Sequence, residues 1–229
     1  MKIVRFLVVF VLGGLAGIFI GYFGGQDNVV LNFTVWRAGR FMDRGVVVLI
    51  LNNVFVLSAV LYGGVFFALL ELESYERFPS RVYGFLDKTV RWMHYLFSLF
   101  DNRIGGMKNP MKSCYFITVS FPIVVVFVNS MLYFNLIAYG FLVYGINAKT
   151  IGVLVETSPV AFIEFTGIIV VASAAYRFTQ ENLVLYERND YAGYGRKARE
   201  YLKSWKNMCL LAAASIAIAG AGFIEHSLL

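Results

Sequence analysis

Glu164 is the residue in this chain best placed to do chemistry, because of the company it keeps. It sits inside the apolar run 151–176, in the stretch ETSPVAFIEFTG that starts at Glu156, with Pro159 ahead of it. A helix that crosses a bilayer needs roughly 20 mostly apolar residues at about 1.5 Å rise each. Glu164 would lie on the order of 20 Å along such a helix, away from interfacial water. An ionised carboxylate there is costly, so the group is expected to be protonated, paired, or beside a wet cavity. The chemistry open to it is proton or cation handling, or a buried hydrogen bond. Pro159 has no N–H to offer the carbonyl of Val155, which frees an acceptor and favours a kink.

Few other groups could join it. Asn52 and Asn53 lie in an apolar context, as does Asn129, and asparagines at that depth usually bond across to another helix. Each is a candidate partner for Glu164. Glu225 follows the last apolar run. There is no H-E-x-x-H, no G-x-S-x-G and no pair of aspartates within the apolar runs, so an enzyme is not expected. Cys114 and Cys209 stand apart from each other and from any histidine, which points to ordinary buried thiols; neither a metal nor a cofactor is expected.

The elements that would hold these residues follow from composition. Apolar residues make up 59% of the 229, against roughly 45–50% in soluble domains, and the mean hydropathy is +0.69. The expected fold is an all-α membrane protein, a single polytopic domain over 1–229. Five transmembrane helices are expected, at about 3–24, 45–70, 115–145, 151–176 and 207–224. The third run exceeds a perpendicular crossing, so it is either tilted or broken near Asn135 or Gly140. The net charge of +6 comes from Lys and Arg flanking the apolar runs, not from a separate basic domain, which argues against nucleic acid as a partner.

The first run is read as a retained helix and not a signal peptide, since it is long and no A-x-A-like site follows. Gly13, Gly17 and Gly21 recur every fourth residue on one face, which lets another helix approach closely. The last run carries Ala213, Ala217 and Ala221 on one face, the expected partner for those glycines. Between the second and third runs, Val82, Phe85, Leu86, Val90, Met93, Leu96, Phe97 and Phe100 follow helical spacing opposite Asp87, Arg91, His94 and Ser98. That pattern predicts an amphipathic interfacial helix over 82–100. The sequon at Asn32 carries little weight.

Lys and Arg are dense in the 71–112 and 177–206 connections and sparse in the 146–150 link and the tail. The positive-inside rule then places the N-terminus inside and the C-terminus outside, with Arg37, Arg40 and Arg44 dissenting.

Several of these residues resemble the stage II sporulation protein M-like family of membrane proteins. LILNNVFVLSAVLYGG at 49–64 is similar to the family's N-N-bearing span, and the 139–145 stretch YGFLVYG takes the place of its N-G-x-x-x-G element. Pro159 and Glu164 sit at the spacing of its P-H-G-x-x-E core, and Ile224-Glu225 matches the I-E of its last helix. The family's His is Val160 here, its Gly is Ala161, and its Asn is Tyr139, so no His–Glu pair is available. The resemblance implies a multi-pass protein of the cell membrane that anchors partners in an envelope-remodelling complex. With the small-residue faces, it leads to the expectation of a membrane scaffold, homo-oligomeric and first of all dimeric, in contact with the lipid bilayer and a membrane or envelope protein. The alternative is an oligomeric channel or transporter in which Glu164 titrates and faces water.

Overall fold

A computed structural model describes residues 2–24, 46–77 and 105–228. The expected interfacial helix at 82–100, the sequon and the arginines at 37–44 lie outside the described residues. Every regular element among the described residues is helical. In chain order these are α1 (Lys2–Phe23), α2 (Val46–Ser58), a π-helical turn (Ala59–Gly63), α3 (Gly64–Arg77), α4 (Asn109–Tyr144), α5 (Ala148–Glu181), α6 (Leu183–Glu187), α7 (Tyr191–Leu202) and α8 (Trp205–Leu228). Four stretches are long and apolar enough to cross a membrane: Val4–Phe23, Asn53–Tyr75, Pro110–Tyr144 and Ser158–Glu181. The apolar part of α8, Trp205–Ala221, is shorter.

The third run is a single helix. α4 passes through Asn135 and Gly140 without interruption and carries Pro122 in its interior. At 36 residues and about 1.5 Å each it is longer than the roughly 30 Å hydrocarbon layer. α5 likewise continues through Pro159. The carbonyl that the proline leaves free, that of Val155, accepts the Ser158 hydroxyl at 3.0 Å, so a neighbouring side chain replaces the missing donor.

The chain divides into two compact units, with the divisions falling inside helices. The first comprises Met1–Ser58, Ile123–Ser173 and Cys209–Leu229; the second comprises Ala59–Pro122 and Ala174–Met208.

In the first unit α1 lies against α4 along the glycine face. A Cβ on Gly13 would stand 2.5 Å from the Phe127 carbonyl oxygen, and one on Gly21 would stand 2.7 Å from that of Asn135. At Gly17 it would collide with the Met131 carbonyl oxygen. The partner of this face is therefore α4 and not the last helix. α4 suits it because Ser130 and Ala138 are small there, and the Ser130 hydroxyl donates to the Phe10 carbonyl at 2.6 Å. In α8, Ala213 and Ala217 are exposed while Ala221 is buried, and Ile218 lies where a side chain on Gly167 of α5 would meet it, at 3.2 Å. The outer side of α1 is apolar and open, with Val8, Leu15 and Phe19 exposed.

The second unit is built differently. Its core is a run of rings in contact: Tyr115–Tyr186 at 5.3 Å, Tyr186–Tyr194 at 5.0 Å, Tyr194–Phe178 at 6.2 Å, Phe178–Tyr201 at 4.6 Å and Tyr201–Tyr62 at 6.1 Å between centroids. α7 starts where Asp190 caps it, its carboxylate accepting the Gly193 N–H at 2.8 Å. Before it, Asn189 takes a positive φ of 55°, and its side-chain oxygen accepts the N–H of Lys108. α7 buries Gly193, Tyr194, Gly195 and Ala198. It lies along α3, where Gly195 approaches Leu72 and Arg199 pairs with Glu73 at 3.0 Å.

Candidate functional site

α5 brings Glu164 to α2. The Asn53 amide donates to one Glu164 carboxyl oxygen at 2.8 Å, a bond between residues 111 apart in the chain. Both side chains are part-buried within the first unit. Next to it Phe165 is held by two rings, Phe10 at 4.6 Å and Tyr133 at 5.2 Å, each edge-on. Phe10 also meets Phe134 at 5.7 Å, so α1, α4 and α5 are locked beside the carboxyl. The opposite side of α5 is open: Val155, Ser158, Pro159, Phe162 and Thr166 are exposed, Phe162 to 72%. Pro159 is thus on that open side and Glu164 is not.

An amide N–H can donate to a carboxylate or to the carbonyl oxygen of a protonated carboxyl. The Asn53 bond therefore serves Glu164 in either protonation state. A group anchored in this way can gain or lose a proton without losing its position.

Of the three asparagines considered as partners, Asn53 makes the bond. Asn129 does not: its amide donates to the carbonyl of Val125 one turn back in its own helix, at 2.8 Å. The side chains of Asn52 and Glu225 lie outside the described residues. Asn135, read from the sequence only as a possible break in the third run, is fully buried against α1, where its amide reaches the Gly17 carbonyl at 3.4 Å. The two cysteines differ: Cys114 is buried and donates to the Ala68 carbonyl at 3.2 Å, whereas Cys209 is exposed on α8, contrary to the expectation of two buried thiols.

A second polar constellation, in the second unit, escaped the sequence reading. The Thr118 and Tyr186 hydroxyls are 3.1 Å apart, and Thr179 and Tyr194 are equally buried beside them. Burial pushes the Tyr186 hydroxyl up from its ordinary value, opposed by hydrogen bonding, and burial pushes Tyr194 well up. Tyr201 is raised for the same reason, with Tyr62 adding to it. Its hydroxyl donates at 3.1 Å to the carbonyl of Leu61, inside the π-helical turn. The signal that could have found this group is the spacing of Tyr194, Ala198 and Tyr201, at i, i+4 and i+7. The charged residues between them and two glycines obscured it.

No family model, curated protein or solved structure matches this chain.

Proposed function

We propose that this chain is a multi-pass scaffold of the cell membrane, in which Glu164 fastens helices together and does not carry a solute. The observation that supports this reading is the Glu164–Asn53 bond, made within one chain. In the full reading the chain crosses the membrane five times, N-terminus inside and C-terminus outside, with α8 as the fifth crossing. The Lys and Arg of the two long polar connections favour that orientation. The resemblance of 49–64, 159–164 and 224–228 to the sporulation protein M-like family extends the proposal to a partner: an envelope or membrane protein held at the bilayer. A second copy would dock through the exposed Ala213 and Ala217 of α8.

A second reading, an oligomeric channel or transporter, draws on one observation. Glu164 keeps part of its surface exposed in the single chain. The two readings separate in liposomes. Purified protein and Glu164→Gln are reconstituted side by side, and proton and cation flux are followed with vesicle-trapped dyes. The scaffold predicts no flux above empty vesicles from either. It also predicts a coupling between Asn53→Ala and Glu164→Ala of about 0.5–1.7 kcal/mol in a double-mutant cycle of unfolding in mixed micelles. Flux through the parent that disappears in Glu164→Gln would make Glu164 a pathway residue and end the scaffold reading.

A further inference from the structure

Residues 182–206 connect α5, long and apolar enough to cross a membrane, to the apolar helix α8. With α8 as the fifth crossing, as proposed above, this connection is tethered at both ends and held at the depth of the lipid headgroups. It carries six Lys or Arg against three Asp or Glu. Nearly half its length is α7, which is no free arm: Tyr194 and Ala198 are fully buried on its inner side. The outer side is therefore a fixed platform.

The carboxylates near that platform are largely committed. Glu200 is held by Lys197 at 2.7 Å, and Glu73 by Arg199 at 3.0 Å. Arg196, Lys203 and Lys206 are exposed and have no ion-pair partner among the described residues. Arg196 and Lys203 are seven residues apart, two turns along one side of α7, and Lys203 is its C-cap. Lys206 follows after Ser204 at the start of α8, where Trp205 is 73% exposed. An indole open to its surroundings at the mouth of an apolar helix suits the boundary between headgroups and acyl chains. Cations clustered just outside a crossing attract anionic lipid.

We propose that Arg196, Lys203 and Lys206, with Trp205 beside them, form a headgroup site for anionic phospholipid. The cations meet the phosphate, and the indole lies against the glycerol and upper acyl chain. The site rests on the proposed crossing by α8 and stands whether the protein is a scaffold or a channel.

The test is native mass spectrometry of the full chain released from micelles containing equal phosphatidylglycerol and phosphatidylcholine. The parent is compared with R196Q/K203Q/K206Q and with K108Q/K112Q, which removes charge elsewhere in the same unit. The parent is expected to retain phosphatidylglycerol in preference to phosphatidylcholine. The triple variant is expected to lose at least about tenfold of that retention, the control pair little. The single variants R196Q and K206Q, each expected to cost several-fold, are read beside the triple. Adding inorganic phosphate should displace no more lipid than chloride at equal ionic strength. Equal retention of both lipids by the parent, or unchanged retention in the triple and single variants, would overturn the site. Equal loss in the control pair would reduce it to net charge, and displacement specific to phosphate would make it a free-anion site.

Discussion

The two units solve helix packing by opposite means. In the first, α1 and α4 meet backbone to backbone: Gly13, Gly17 and Gly21 remove side chains so that carbonyls of the facing helix can come close. In the second, large rings fill the space, from Tyr115 through Tyr186, Tyr194, Phe178 and Tyr201 to Tyr62. The difference follows from what stabilises each. Between helices in lipid there is little hydrophobic drive, so close van der Waals contact and occasional hydrogen bonds do the work, and small residues permit both. In the second unit a polar connection contributes Tyr186, Tyr194 and Tyr201 to rings carried by α4, α5 and the π-helical turn. Burying that aromatic area, with its ring contacts, stabilises the unit. The α1–α4 seam of the first unit should be intolerant of added atoms, the ring core of the second of removed ones.

The largest expected effect is on the side of removal. Tyr186 is fully buried between Tyr115 and Tyr194 and shares a hydrogen bond with Thr118. Tyr186→Ala should cost about 3–5 kcal/mol in a detergent unfolding titration. Tyr186→Phe, which keeps the ring, should cost about 1 kcal/mol. Equal losses would mean that hydroxyls and not rings hold the second unit. On the side of addition, Gly17→Ala should cost about 1–3 kcal/mol, because the new methyl group meets the Met131 carbonyl and the Asn135 backbone, which cannot rotate aside. Gly140→Ala, where nothing stands within 4 Å, should be neutral or stabilise by up to about 1 kcal/mol. A neutral Gly17→Ala would break the contrast.

The smallest effect is one of pH and belongs to the second unit. Burial raises the hydroxyls of Tyr186, Tyr194 and Tyr201 above their ordinary range. Above about pH 10 an unfolded chain releases these protons while the folded one keeps them. The stability they contribute is whole below that pH and is lost as pH rises through the folded values. Thermal midpoints should hold level up to about pH 9 and fall beyond about pH 10, with a shallower fall in Tyr194→Phe. An identical slope in that variant would assign the loss elsewhere.

How much of this could be read from the chain alone depends on the kind of fact. Long apolar runs announce helices, and α1, α4 and α5 lie where hydropathy puts them. The bounds are less legible, because α3 carries Glu71 and Glu73 past the last apolar turn to Arg77. That Gly13, Gly17 and Gly21 share a face follows from a period of four, but a period does not say what stands opposite. Small residues in α8 were the obvious match by composition, whereas α4 offers Ser130 and Ala138 at the correct phase. Choosing between Asn53 and Asn129 needed the rotation of each helix about its axis, which neighbouring turns fix and sequence spacing does not. The π-helical turn is further still from view. Its carbonyl at Leu61 is taken by a tyrosine 140 residues later.

The pairing of α1 with α4 also has a consequence for biogenesis. Gly17 and Asn135 are 118 residues apart, and translation proceeds at about 5–20 residues per second. The glycine face is made first and waits roughly 6–24 s for the helix that covers it. During that interval the nascent α1 offers its bare backbone to whatever is adjacent: lipid, the insertion machinery, or the same helix emerging from the next ribosome on the message. Crowded polysomes are therefore where mispaired copies of this protein should first arise, and slow initiation should suppress them.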